Sequence, residues 1–142
     1  MGAVAPGSSV PARPPVAPRG RVAVVTDSAA ALPVEVADRW GIAVVPMWMT
    51  VDGRPEREGS RPVDALLLER AVLTSAPTPG EFAGAISAAL EQADEVVVCT
   101  MAESMSATYE AARVAAAGFA GVARVVDTRS AAGGQALVVL AA

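Results

Sequence analysis

VAVVTDSAAALP, residues 22–33, opens as an apolar run, breaks into Thr26, Asp27 and Ser28, and reaches a proline that reopens a helical pattern. That order reads as a buried strand whose carboxyl end carries a small polar loop. In open α/β sheets the ligand crevice lies at such strand ends, so the place of these residues matters as much as their type. Two later segments repeat the plan. Glu95 to Thr100 leads into Ser104, Ser106 and Thr108, and Ala123 to Asp127 leads into Thr128 and Ser130, each with a helical stretch behind it.

Working outward, Pro33 suits the first position of a helix that ends near Trp40, with Gly41 as its stop. Ile42 to Val51 is a second apolar run, and Pro46 within it argues for an edge or irregular strand. Asp52-Gly53 reads as a turn, Arg54 to Arg61 as a charged loop, and Val63, Leu66, Leu67 and Ala71 as one face of a short helix before a polar stretch, Thr74 to Thr78. Thr78-Pro79-Gly80-Glu81 supplies an N-cap hydroxyl, a proline at N1 and a glutamate at N3, the makings of a capping box. Phe82, Ala85, Ile86, Ala89 and Leu90 then mark the buried face of a helix, Val96 to Cys99 a strand, Met105, Tyr109, Ala112, Ala116 and Phe119 another helical stripe, and Val122 to Val126 a fourth strand. Strands alternating with helices give the fold class: α/β, a mainly parallel sheet of about four strands with helices on both faces.

Composition narrows the chemistry. At 142 residues and 53% apolar the chain has ample material for one core. It contains no histidine, which removes Ser/His, Cys/His and histidine-ligated metal chemistry together. Cys99, the only cysteine, closes a valine-rich run and reads as a small buried hydrophobe. From Val22 onward eight arginines stand against fifteen acids, a formal charge of −7, so nucleic acid is not an expected partner. Residues 1–20 carry five prolines among Gly, Ala and Ser and read as a disordered tail. No apolar run approaches the roughly 20 residues of a transmembrane segment, the start lacks a signal-peptide core, and Pro6 breaks the acylation pattern opened by Met1-Gly2. A cytoplasmic protein is expected. Gln135 to Ala142 is an apolar helical pattern that stops without a cap, and the expectation drawn from it is a truncated product or half of a larger two-domain unit.

Four motifs stand in order: Thr26-Asp27-Ser28 with Leu32-Pro33; Thr74-Ser75-Ala76-Pro77-Thr78-Pro79-Gly80-Glu81-Phe82; Met105-Ser106-Ala107-Thr108-Tyr109; and Val126-Asp127-Thr128-Arg129-Ser130 with Gly133. Together they resemble the DegV family of bacterial fatty-acid-binding proteins. The resemblance implies that residues 21–142 form the amino-terminal domain of a two-domain protein that encloses one long-chain fatty acid, with the carboxyl-terminal domain absent from this chain. It also implies a partner, since members that serve as the binding subunit of fatty acid kinase present the acyl carboxylate to a separate ATP-binding subunit. In the family that carboxylate is held by a loop threonine, which matches Thr74, and by a serine that aligns with Ala102 or Glu103. This sequence has no hydroxyl there; Ser104 and Ser106 are the nearby substitutes.

The residues themselves fit such a ligand. A fatty acid needs a few placed donors at one end and an apolar slot at the other. Thr74, Ser75 and the backbone N–H groups of helices starting near Pro79 or Ser106 supply donors, because a helix start carries unpaired N–H groups and partial positive charge. At about 0.8 kcal/mol per buried CH₂, a 16-carbon tail offers on the order of 10 kcal/mol before association costs. Blander readings stand beside these. Thr78 reads as a helix cap, and Asp127 and Ser130 as a strand-end turn and cap. Asp27 and Ser28 either satisfy loop amides or line the head-group pocket, and Met47, Trp48 and Met49 either line a lipid slot or fill a core or domain interface. The expected ligand-binding set is therefore Thr74, Ser75, Asp27, Ser28, Ser104 and Ser106, with no catalytic residue, no metal and no cofactor. The alternatives are a small α/β hydrolase or phosphotransferase using Asp27 as nucleophile, or a nonfunctional fragment. No G-x-S-x-G elbow, Walker loop or D-x-D signature supports the enzyme.

Overall fold

The computed structural model describes residues 20–69 and 71–142; of the tail read for residues 1–20, all but Gly20 lies outside the described residues, as does Arg70. Among the described residues seven strands form two sheets. In the larger, β1 (Val22–Asp27), β2 (Ala43–Val45), β6 (Glu95–Thr100) and β7 (Ala123–Asp127) lie parallel in the order β2-β1-β6-β7. This is the α/β sheet expected. The chain leaves β1 toward β2 and later returns to the other side of β1 as β6, so the strand order reverses between β1 and β6. Such a reversal opens a crevice at the carboxyl ends of the two strands.

Side-chain alternation sorts the core. Val25, Val96 and Val98 point to one face, where α3 (Pro79–Leu90) contributes Phe82 and Ile86 and α4 (Thr108–Ala116) contributes Ala112, Ala115 and Ala116. Val24, Val97 and Cys99 point to the other, against Ala37 of α1 (Val34–Trp40) and Val139 of α5 (Ala132–Ala141). Phe82 and Ile86 are fully buried, worth about 1.5–3 kcal/mol each. Pro33 stands just before α1 as its N-cap rather than inside it, and Gly41 ends that helix with φ of 63°, the left-handed region that favours glycine. Ala88 and Ala89, in the last turn of α3, line a cleft with Arg21 and Val22 at the amino end of β1. The start of α3 therefore lies at the carboxyl end of the sheet, where α1, α4 and α5 also begin.

The second sheet departs from the sequence reading. β3 (Trp48–Val51) lies between β4 (Arg54–Arg57) and β5 (Val72–Ser75), antiparallel to both. Pro46 divides the apolar run into β2, an edge strand of the large sheet, and β3. Asp52 and Gly53, with φ of 46° and 82°, close the two-residue β3–β4 hairpin, since an Asp-Gly pair tolerates positive φ at both central positions. Arg54 to Arg57 is thus a strand and not part of a charged loop, and Thr74 and Ser75 sit on β5 and not in a loop. The ladder to β3 supplies what their polar, short sequence does not. α2 (Val63–Leu66) is a single turn, and Val63, Leu67 and Leu68 are solvent-exposed, so no apolar face forms there. Met105 is likewise exposed and precedes α4, because that helix begins only at Thr108.

Candidate functional site

Asp27 and Ser28 are the hub of the carboxyl edge. Asp27 is fully buried. Its Oδ1 accepts the Ala29 N–H at 3.0 Å and its Oδ2 the Met101 N–H at 2.9 Å, so one carboxylate caps the 3₁₀ turn after β1 and pins the end of β6. Burial pushes its carboxyl above the ordinary value; hydrogen bonds from Met101, Gln135 and Ala29 only partly offset that. With both oxygens accepting backbone N–H groups, the Asp27 carboxylate ties the end of β1 to the end of β6. Ser28 Oγ accepts the Met47 N–H at 2.9 Å and donates to Glu58. Met47 leads into Trp48, which lies opposite Ser75 in the β3–β5 ladder, with Met49 opposite Thr74. Through β3, Ser28 is brought into the neighbourhood of Thr74 and Ser75. Both of those are exposed.

The second half of the edge lies across β6 and β7. Ala102 is buried and its N–H donates to Ser130 O at 2.8 Å. Asp127 Oδ1 accepts from Glu103 N at 3.2 Å and Arg129 N at 2.8 Å, the strand-end turn read from the sequence. Ser130 does not cap α5, whose N-cap is Ala131. Ser104 is exposed, whereas Ser106 Oγ lies 2.8 Å from the buried Thr108 hydroxyl and accepts the Thr108 N–H at 3.2 Å, which shapes the start of α4. No hydrogen bond among the described residues joins Ser104 or Ser106 to Thr74 or Ser75. The two expected groups of donors stand on the same edge, on opposite sides of Asp27.

The capping box forms as read: Thr78 Oγ1 accepts the Glu81 N–H and Glu81 accepts the Thr78 N–H. Two features were not legible. Glu81 also accepts the Trp48 indole N–H at 3.2 Å and pairs with Arg57, whose guanidinium lies 4.1 Å over the Trp48 ring. Burial pushes Glu81 up, but the Thr78 N–H and hydroxyl, the Trp48 indole and Arg57 together hold its carboxyl below the usual range. Gln135, fully buried on α5, donates from Nε2 to Thr26 Oγ1 at 3.2 Å, and Thr26 in turn donates to Cys99 O at 2.7 Å. A lone amide immediately before the apolar run ALVVLA, residues 136–141, was the only signal for it. Met47 and Met49 are buried and Trp48 half-buried.

A cleft of about 590 Å³ opens beside Ser28, with Leu32, Pro33, Val44 and Pro46 as apolar lining and Glu58 at its rim. Its size falls in the roughly 300–1,000 Å³ range of small-molecule sites. Among the described residues no cluster of three His, Cys, Asp or Glu could hold a metal ion, and no helix is long and apolar enough to cross a membrane.

The family model for DegV, described as a family of uncharacterised proteins, matches residues 21–142. The chain belongs to the DegV family. A DegV domain-containing protein of Mycobacterium bovis is 35% identical over 123 residues, spanning 85% of this chain and 44% of the relative. A DegV family protein from Thermus thermophilus, solved as a fatty-acid-binding protein, superposes with a TM-score of 0.78 at 32% identity, covering 85% of this chain and 45% of the other. A Thermotoga maritima structure that reveals fatty acid binding gives a TM-score of 0.70 at 25% identity over 80% of this chain and 44% of the other. The chain thus spans less than half the length of the DegV relatives it matches.

Proposed function

We propose that this DegV chain binds a long-chain fatty acid at the carboxyl edge of its parallel sheet and acts by holding the ligand, not by catalysis. In this reading residues 21–142 act as a DegV amino-terminal domain in the cytoplasm, behind a tail at residues 1–20. The Thr74 and Ser75 hydroxyls and the backbone N–H groups at the start of α3 or α4 receive the carboxylate, with Ser104 and Ser106 in place of the hydroxyl lacking at Ala102 or Glu103. Asp27 and Ser28 frame the pocket by holding Met101 and Met47. The acyl chain takes the apolar lining beside Leu32 and Val44, away from Glu58. A fatty acid kinase subunit is the partner to which the carboxylate is offered. The observation that carries the reading is the superposition, with a TM-score of 0.78, on a fatty-acid-binding relative over 85% of the chain.

Calorimetric titration of palmitate into the parent chain and Thr74→Ala tests it. A charge-assisted hydrogen bond contributes about 1.5–3 kcal/mol, so Thr74→Ala is expected to weaken binding by roughly one to two orders of magnitude. Equal affinity in the two proteins removes Thr74 from the site. A parent that neither retains lipid in native mass spectrometry nor titrates with palmitate overturns the fatty acid reading.

A further inference from the structure

A capping box needs two residues, yet the Glu81 carboxylate serves four groups. Its Oε2 accepts the Thr78 N–H at 2.7 Å and the Thr78 hydroxyl at 2.9 Å, both oxygens receive the Trp48 indole N–H at 3.2 Å, and Oε1 pairs with Arg57. Arg57 lies 4.1 Å over the Trp48 ring and donates from Nη1 to Pro46 O at 3.1 Å. Within the small sheet Trp48 stands opposite Arg57 on β4 and opposite Ser75 on β5. One carboxylate therefore fastens a corner of the antiparallel sheet to the first turn of a helix that packs on the parallel sheet.

We propose that Glu81, with Trp48 and Arg57, is the positioning latch that fixes the end of β5, the strand that carries Thr74 and Ser75, against the first turn of α3. Only Ala76 and Pro77 separate Ser75 from Thr78. Both ends of that link are pinned, Ser75 through the ladder to Trp48 and Thr78 through Glu81. Arg57 has a second effect. A glutamate in the first turn of α3 places a negative charge beside any incoming carboxylate, and the ion pair cancels it. The inference rests on the fatty acid reading for what is positioned, and on geometry alone for the latch.

Glu81→Gln sets the two effects against each other, because glutamine still caps the helix but gives up both the negative charge and the ion pair with Arg57, which push palmitate affinity in opposite directions. Trp48→Phe keeps a ring under Arg57 and removes the indole donor. Both are compared with the parent and with Arg113→Ala, which breaks an exposed pair with Glu110 on α4. Two readouts are taken: palmitate affinity, and amide hydrogen exchange of β5 against β1 and β6. The expected result is that Glu81→Gln and Trp48→Phe each weaken palmitate binding about tenfold and speed exchange in β5 while β1 and β6 keep their protection. Arg113→Ala changes neither. Unchanged β5 exchange in both latch variants overturns the latch, and faster β5 exchange with full affinity overturns its positioning role. Tighter binding by Glu81→Gln would show that its charge, not its latch, governs the site. A parent that binds no palmitate sinks the fatty acid reading, and the exchange result then decides the latch by itself.

Discussion

Asp27 shows how one residue joins the fold to its chemistry. Its two oxygens hold Ala29 and Met101 in place, and the same burial raises its carboxyl above the ordinary 3.8. A group with a raised folded value binds more protons folded than unfolded between the two values, so its contribution is full at low pH and is lost as pH rises through the folded value. Asp27→Asn cannot ionise and leaves one N–H without an acceptor, at a cost of about 1–3 kcal/mol. The expected outcome is that the variant is less stable than the parent near the ordinary value and that the gap narrows toward neutral pH. Urea denaturation across that span checks it, and a gap that widens with pH contradicts the assignment. At this scale the sequence was partly legible. Polar residues directly after an apolar strand mark the crevice, and Asp27 was read from that alone. Gln135 was not, since its partner Thr26 lies 109 residues away and no local pattern encodes such a contact.

Among the elements, α3 was the most legible because its start is written in four consecutive residues and its buried face in a 3.6-residue period. Thr78→Ala removes the N-cap acceptor for the Glu81 N–H, and a loss of about 1 kcal/mol is expected. A denaturation midpoint shift with unchanged slope measures it; no shift would mean that the Trp48 and Arg57 contacts hold the helix start unaided. The small sheet was the least legible element. Arg54-Pro55-Glu56-Arg57 has no apolar alternation, and all four residues of β5 are exposed. These strands exist because β3 between them carries buried Met49 and Val51, and pairing lies outside what period or propensity within a short window can report.

For the whole molecule the open question is which apolar surface governs its behaviour in solution. On the α5 side of the parallel sheet, Val97, Cys99, Val126, Leu137 and Val138 line a groove of about 430 Å³, and Leu137 is 71% exposed. A second apolar group, Val63, Leu67, Leu68 and Leu73, stands on the arm around α2 and β5, where Leu68 is 86% exposed. Contiguous exposed apolar surface marks an interface or an aggregation liability. The groove is continuous with the sheet through Val97, Cys99 and Val126, whereas the arm presents separate side chains to water. A hydrophobic dye should therefore enter the groove, and the isolated chain should self-associate through it. Leu137→Arg is expected to lower both dye fluorescence and the sedimentation coefficient, and Leu68→Arg to change neither. A monomeric parent with little dye binding overturns the expectation. The reverse pattern moves it to the arm that carries Thr74, where self-association would compete with ligand binding and palmitate would disperse the associated form.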